Sequence, residues 1–309
     1  MKPAASLSQP APSPNPAEAA LGEVKSRSSA YLELTKPRIV LMELITVGVG
    51  YVLGARGGAN LATLALTLFG TALVAGGAGA LNMYIERDRD ARMRRTANRP
   101  LPSGRLKPFE AAIFGTLLGV VGSVILLLGA GWLPAAVAGA AFLLYVYFYT
   151  PLKPISTLNT AAGAIPGALP PMIGWTAATG SIDAGAWVLF LIVFLWQFPH
   201  FLAIAWMCRE DYERGGMKML PRVDPTGAMT GRQATLHALT LIPAGLLPTL
   251  IGMAGPWYFF GALALGLFYL AESARFWLNV SNASARRLLF ASILYLPAIL
   301  LLLVLSPAA

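Results

Sequence analysis

The distribution of positive charge along the chain is the feature that most constrains its fold. Apart from Arg56, the 23 Lys and Arg residues fall in separate groups, at residues 2–38, 87–107, 153, 209–232 and 275–287. Apolar stretches long enough to cross a bilayer run between these groups. Because membrane proteins keep Lys and Arg on the cytoplasmic side, the pattern predicts a polytopic protein with a cytoplasmic N-terminus. It also places the charged loops 82–107 and 200–232 together on the cytoplasmic face.

Composition supports a membrane protein of the all-α class. The chain is 56% hydrophobic and 12% charged, with a mean hydropathy of +0.64, whereas soluble domains carry about 25% charged residues. A spanning helix needs about 20 mostly apolar residues. We therefore predict nine transmembrane helices, at residues 38–55, 62–85, 108–130, 132–150, 160–179, 184–207, 234–254, 257–278 and 287–306.

The first thirty residues differ in composition from the rest of the chain. Residues 1–30 are rich in Ala, Pro and Ser, which predicts a disordered N-terminal tail before one nine-helix membrane domain at residues 31–309. The tail lacks the apolar core of a secretory signal. Lys2, Lys25 and Arg27 leave a mitochondrial presequence open, against which its acidic residues and prolines count.

Cysteine content and net charge exclude other classes. Cys208 is the single cysteine, so an intrachain disulfide and a multi-cysteine metal site are excluded. The formal net charge of +9 comes from juxtamembrane residues, which membrane topology and anionic lipid explain. The lipid bilayer is therefore the predicted partner, and nucleic acid is not.

A line of polar residues continues out of the second predicted span. Asn82, Glu86 and Asp90 recur at i, i+4 and i+8, so they share one face of a helix. Oxygen ligands followed by several arginines suit a diphosphate bridged by Mg²⁺. A salt-bridged helix on the membrane surface would show similar charges. Asn82 favours a site, because an unpaired amide at the end of an apolar span is costly.

A histidine interrupts the sixth predicted span. Gln197 and His200 are polar, and Pro199 beside them frees a backbone carbonyl. An intramembrane histidine indicates a site, and imidazole could ligate a heme iron or act as acid or base. A hydrogen bond to a neighbouring helix is the simpler alternative, and it is the one we assign to His237.

Two cytoplasmic segments add further candidates. Glu210 and Asp211 follow the sixth span and could hold a second Mg²⁺. Lys153 is the one cation in the turn after the fourth span, where it could reach a phosphate or anchor the helix end. If spans two and six pack side by side, the two charged loops form one acidic and basic cup.

Taken together, these blocks resemble the protoheme IX farnesyltransferases (heme O synthases) of the UbiA-type intramembrane prenyltransferase superfamily. The resemblance covers residues 34–305, and its specific blocks are residues 82–101, 149–153, 159–175, 196–200 and 209–221. The first superfamily motif carries Asp where this chain has Glu86. The second aspartate-rich motif is degraded, since Cys208 and Tyr212 stand at acidic positions and Asp211 remains.

The resemblance implies a function and a set of site residues. Farnesyl would pass from farnesyl diphosphate to a vinyl group of protoheme IX with addition of water, giving heme O. Mg²⁺ would be held by Asn82, Glu86, Asp90 and Asp211. The diphosphate would contact Arg95, Arg99 and Lys153, and His200 would bind heme or accept a proton. The implied fold is a nine-helix bundle in the bacterial inner membrane, with its active-site loops on the cytoplasmic side and a downstream heme A synthase as a possible partner.

Two other functions remain open on the sequence. A prenyltransferase acting on an aromatic acid or on chlorophyllide would share the diphosphate site, and His200 and the degraded second motif oppose it. A transporter or heme-handling scaffold would also use broken helices and polar residues within the membrane. A transporter or scaffold of this kind would release no diphosphate.

Overall fold

The computed structural model describes residues 27–308, and its regular elements are helices. The helices that follow residue 36 are α1 Pro37–Ala55, α2 Leu61–Asp90, α3 Pro108–Gly129, α4 Trp132–Leu143, α5 Asn159–Ala168, α6 Pro170–Thr179, α7 Ala184–Met207, α8 Arg209–Arg214, α9 Leu220–Val223, α10 Ala228–Leu250, α11 Pro256–Leu278 and α12 Asn282–Leu305. A π-helical segment, Leu144–Tyr149, and a short turn, Thr150–Leu152, continue α4. The predicted all-α class is confirmed.

Seven helices are long and apolar enough to cross a membrane. They are α1, α2, α3, α4 with its continuation to Leu152, α7, α11 and α12. The predicted fifth span is divided instead into α5 and α6, because Pro170 and Pro171 supply no N–H groups at the junction. The predicted seventh span corresponds to α10, whose 23 residues include Arg232, Gln233 and His237. Nine spans therefore remain a prediction, and the described residues contain seven helices suited to a multi-pass membrane protein.

A helix crosses the predicted N-terminal boundary of the membrane domain. Residues 27–34 are helical, so the predicted boundary at residue 31 falls inside a helix. Ala30 and Leu34 are fully buried in a cluster that includes Ala80 and Met83 of α2, which explains why this segment folds onto the bundle. The rest of the predicted tail, residues 1–26, lies outside the described residues.

Close backbone contact joins α1 to α6. A Cβ added at Gly50 would lie 2.1 Å from the carbonyl oxygen of Pro171, and one added at Gly174 would lie 1.9 Å from that of Val47. Only glycine fits at either position. The contact holds α1 against the centre of the bundle. Lys36, the residue immediately before α1, lies next to the C-terminal end of α2, where it contacts Asn82.

Gly50→Ala tests this contact. The added methyl must displace backbone, so we expect a loss of about 1–3 kcal/mol in stability and a clear drop in melting temperature in detergent. Gly48→Ala is the matched control on the same helix, because no atom lies within 4 Å of the position that its Cβ would take. Equal melting temperatures for the two variants would contradict the close α1–α6 contact.

Candidate active site

A buried polar line runs along the C-terminal end of α2. Asn82, Glu86 and Asp90 are 1%, 4% and 0% exposed, respectively, whereas Asp88 between them is exposed. The three buried residues therefore lie on one face, as the i, i+4, i+8 spacing predicts. Charged groups in such a position require partners, and each of the three contacts a cation from a different part of the chain.

The amide of Asn82 is fixed from both sides. Lys36 Nζ donates to Asn82 Oδ1 at 2.5 Å, and Asn82 Nδ2 donates to Thr150 Oγ1 at 3.0 Å. The Thr150 hydroxyl in turn donates to the carbonyl oxygen of Tyr145 at 2.8 Å, across the π-helical turn. Because the hydroxyl proton is used there, Thr150 can only accept from Asn82. The amide oxygen is consequently directed at the cation.

The two carboxylates each form an ion pair, and one of their oxygens is left without a donor. Lys153 Nζ lies 2.7 Å from Glu86 Oε1, and Arg99 Nη1 donates to Asp90 Oδ2 at 2.7 Å. Asp90 Oδ1 is buried with no hydrogen bond. A buried oxygen without a donor is costly unless a ligand completes it. The donor set of two carboxylates and an amide fits a hard cation such as Mg²⁺, which prefers oxygen ligands.

Lys36 is a site residue that the sequence did not reveal. It adopts the left-handed conformation, with φ 52° and ψ 55°, immediately before Pro37. Such a conformation costs a non-glycine residue about 1–3 kcal/mol and is concentrated at functional sites. The sequence offered only a basic residue at a membrane entry, which topology explains. Nothing in the spacing indicates that it would turn inward.

Burial tunes the charges of the lysines that line the site. Burial, together with the positive charges of Arg99 and Lys153, lowers the pKa of Lys36 to about 7. Burial also disfavours the charged form of Lys153, but the negative groups around it, Glu86 first, outweigh this and raise its pKa. An anion bound nearby would favour the charged form of Lys36 and so raise its pKa again.

The two charged loops meet over this end of the bundle. Asp211 Oδ1 accepts a hydrogen bond from the backbone N–H of Arg94 at 3.0 Å, and the Arg95 guanidinium lies 5.7 Å from the centre of the Tyr212 ring. Met93 packs in one cluster with Ala205, Met217 and Met219. The predicted cup is therefore present, but contacts between the loops form it, not lengthwise packing of α2 on α7.

A third segment completes the cup. The N–H of Lys218 donates to the carbonyl oxygen of Lys153 at 2.7 Å, and Asn159 Nδ2 donates to the carbonyl oxygen of Lys218 at 2.9 Å. The second loop is thus tied to the turn that carries Lys153. Asn159 is fully buried at this junction. Sequence reasoning noted Asn159 only as part of a motif and assigned it no role.

In the described part of the chain, Asp211 and Arg95 form no hydrogen bond or ion pair with Asn82, Glu86 or Asp90. Asp211 also pairs with Arg214, whose hydrogen bond lowers the pKa of Asp211. Across residues 27–308, no group of three or more His, Cys, Asp or Glu side chains is arranged to hold a metal ion. The structure thus gives Asp211 a role in joining the loops, and its role as a metal ligand remains a prediction, as does diphosphate binding by Arg95.

His200 faces a different part of the bundle. Its Nδ1 lies 2.7 Å from Ser292 Oγ on α12, and its ring stacks on Trp196 with centroids 4.9 Å apart. No hydrogen bond or ion pair joins it to Asn82, Glu86 or Asp90 in the described structure. His237 stacks on Phe198 at 3.8 Å and contacts the carbonyl of Gln233. The two histidines are therefore held in different environments.

Arg99→Met tests the buried ion pair. It leaves the fully buried side chain of Asp90 without its cation, so we expect a loss of about 3–5 kcal/mol in stability. The double variant Asp90→Asn with Arg99→Met removes both charges and should recover most of the melting temperature in detergent. Arg92→Met, at an exposed position in the same loop, is the control. A double variant as unstable as the single one would contradict the pairing.

Comparison with known proteins identifies the family. Residues 44–296 match the UbiA prenyltransferase family. The protoheme IX farnesyltransferase of Solibacter usitatus is 46% identical over 278 residues, which cover 87% of this chain and 95% of the relative. The mitochondrial protoheme IX farnesyltransferase of Arabidopsis thaliana is 36% identical over 288 residues, covering 89% of this chain and 67% of the relative.

Solved structures share the fold at low identity. A digeranylgeranylglyceryl phosphate synthase superposes with a TM-score of 0.77 at 18% identity, covering 91% of this chain and 98% of that one. A UbiA homolog from Archaeoglobus fulgidus bound to GPP and Mg²⁺ gives a TM-score of 0.65 at 17% identity, covering 89% and 99%. With its helical bundle and its match over most of the sequence, the chain belongs to the UbiA prenyltransferase family and is a membrane-embedded transferase.

Proposed function

We propose that this chain transfers the farnesyl group of farnesyl diphosphate to a vinyl group of protoheme IX, with addition of water, giving heme O and diphosphate. The observation that carries the proposal is the buried polar line on α2, in which Asn82, Glu86 and Asp90 each face a cation. The acceptor is suggested by relatives similar over most of their length, which are named protoheme IX farnesyltransferases.

The donor diphosphate would bind among the three cations. Lys36, Arg99 and Lys153 come from before α1, after α2 and after α4, and they converge on one helix face. Two carboxylates balance only part of their charge. Guanidinium and ammonium groups in a dry site bind phosphate oxygens strongly. Arg95, on the rim beside Tyr212, would add positive potential at the entrance.

Mg²⁺ fits the carboxylate and amide oxygens of this line. Asn82, Glu86 and Asp90 would hold the ion, with Asp211 contributing from the second loop. Bound there, Mg²⁺ would neutralise charge on the diphosphate, as the Mg²⁺ and prenyl diphosphate in the Archaeoglobus fulgidus homolog suggest for the fold. The chain's own contribution is a set of charges that are already oriented before the donor binds, which is the strongest form of electrostatic catalysis.

Farnesyl transfer begins at the donor. The allylic C–O bond of the donor breaks, and its electron pair leaves on the diphosphate, which Lys36, Lys153 and Arg99 stabilise. The terminal vinyl carbon of the heme bonds to C1 of the farnesyl group. The inner vinyl carbon becomes electron-poor and takes the oxygen of a water molecule, which loses a proton. A vinyl group is a weak nucleophile, so accurate placement of donor and acceptor matters most.

His200 would bind the acceptor. It is polar within the apolar helix α7, and its ring is held by Trp196 and Ser292. An imidazole nitrogen could ligate the heme iron or accept the proton released by water. Either role places the heme on the side of the bundle formed by α7 and α12.

The proposed setting is a bacterial inner membrane. Nine spans with a cytoplasmic N-terminus would place the cup on the cytoplasmic side, since the cations cluster there. In this arrangement α5 and α6 together form the fifth span and α10 the seventh. Heme O would leave into the bilayer, where a downstream heme A synthase would be the partner that receives it.

Asp90→Ala tests the donor site. Membranes that contain the variant should release diphosphate from farnesyl diphosphate at least ~100-fold more slowly, because preorganised charge is lost from the leaving group. Asp88→Ala is the matched control, since Asp88 is on the same helix with a side chain that is 77% exposed. Extracted heme is separated by reversed-phase chromatography with mass detection. Normal heme O formation by a folded Asp90→Ala variant would overturn the site.

His200→Ala tests the acceptor side. We expect the variant to bind protoheme at least ~10-fold more weakly in an absorbance titration and to form little heme O. His237→Ala is the control, because His237 has its own partners on α7 and α10. Wild-type affinity and turnover in the His200 variant would return His200 to a structural role. A wild-type chain that releases diphosphate yet leaves protoheme unmodified would instead exclude heme as acceptor.

A further inference from the structure

Ser292 holds the His200 side chain in one orientation. Ser292 is fully buried on α12, and its Oγ lies 2.7 Å from His200 Nδ1. The same hydroxyl donates to the carbonyl oxygen of Leu289 at 2.6 Å. A serine hydroxyl has a single proton but two acceptor lone pairs. We assign that proton to the bond with Leu289, so that the hydroxyl accepts from the imidazole and Nδ1 carries the histidine proton.

The neighbouring tryptophan is hydrogen-bonded to the same serine. Trp196 Nε1 donates to the backbone carbonyl of Ser292 at 2.8 Å, and the Trp196 ring stacks on the His200 ring at an angle of 26°. Tyr269 donates to the carbonyl oxygen of Trp196 at 3.1 Å. The imidazole is thus restrained both at its edge, by the hydroxyl, and at its face, by the indole. Both restraints depend on one residue of α12.

We propose that Ser292 is a positioning residue that keeps His200 in the tautomer with the proton on Nδ1, so that the Nε2 lone pair is free to ligate the iron of the heme acceptor. The inference rests on the proposed function for its ligand. Within the described residues Nε2 has no hydrogen-bond partner. It is also not fully buried, because the His200 residue is partly exposed.

The chemistry of iron ligation explains why such a device is useful. Imidazole binds a metal through a nitrogen lone pair, and a hydrogen bond donated by the other nitrogen selects the tautomer and aims the ring. A ring free to change tautomer would spend part of its time with a proton on the ligating nitrogen. The Leu289 carbonyl, reached through the serine hydroxyl, thus acts as the final acceptor that fixes the proton.

The tautomer can be measured without any ligand. The chain has two histidines, so His237→Gln leaves one, and ¹⁵N NMR of the histidine-labelled protein in detergent separates protonated from unprotonated ring nitrogens. We expect His200 to be neutral with its proton on Nδ1. A proton on Nε2 in this otherwise wild-type protein would overturn the proposal, whether or not any Ser292 variant folds.

Protoheme titration tests the consequence. Ser292→Ala should raise the Kd for added hemin about tenfold and alter the absorption and EPR signatures of the histidine-ligated iron. Ser292→Thr, which keeps the hydroxyl, should restore both. Ser273→Ala is the matched control, because Ser273 is also fully buried but its hydroxyl bonds only to the Tyr269 carbonyl oxygen of its own helix, α11. An unchanged Kd and spectrum in Ser292→Ala would overturn the proposal.

The outcomes separate this inference from the proposed function. A wild-type chain that binds hemin without a histidine-ligation signature, or that does not bind it, contradicts the acceptor assignment. If the wild-type chain has that signature and the Ser292→Ala variant has the same Kd and spectrum, only the role of Ser292 is contradicted. If the signature is lost in His200→Ala and in Ser292→Ala but kept in Ser273→Ala, both the acceptor assignment and the role of Ser292 are supported.

Discussion

Charges buried inside a membrane bundle must be paired, and this requirement determines how the segments around the C-terminal end of α2 are arranged. The acidic face of α2 cannot be buried unless cations reach it, since an unpaired charge in a low dielectric is too costly. Glu86 is reached by Lys153 and Asp90 by Arg99, while Lys36 approaches Asn82. The three cations come from segments far apart in the chain. Two ion pairs and one hydrogen bond therefore fix how the ends of α1, α2 and α4 meet.

In the proposed function the same contacts would also receive an anion. One oxygen of Asp90 is buried without a donor, and a diphosphate with its counterion would complete it. Here stability and function draw on the same groups. The positive φ of Lys36 is consistent with this, because local strain persists where surrounding contacts over-determine it.

Much of this arrangement could be predicted from the sequence, and the failures have physical causes. Helical periodicity alone places Asn82, Glu86 and Asp90 on one face, and the positive charges predict which loops share a side. Lys36 could not be assigned, because topology already explains a basic residue at a membrane entry. Ser292 carried no signal, since its contact with His200 links helices distant in sequence, and such pairing is invisible without the fold.

The π-helical segment Leu144–Tyr149 has a consequence for how this family can vary. A π-turn holds one more residue than an α-turn, and it is found mostly at functional sites. Deleting one residue there would restore an ordinary α-turn of nearly the same angular extent, so the chain beyond it would keep its direction and Lys153 would still face Glu86. The wide turn itself would be lost, and with it the reach of the Thr150 hydroxyl to the Tyr145 carbonyl oxygen. Relatives that have lost this extra residue would therefore have to orient the Asn82 amide, which donates to Thr150, in another way.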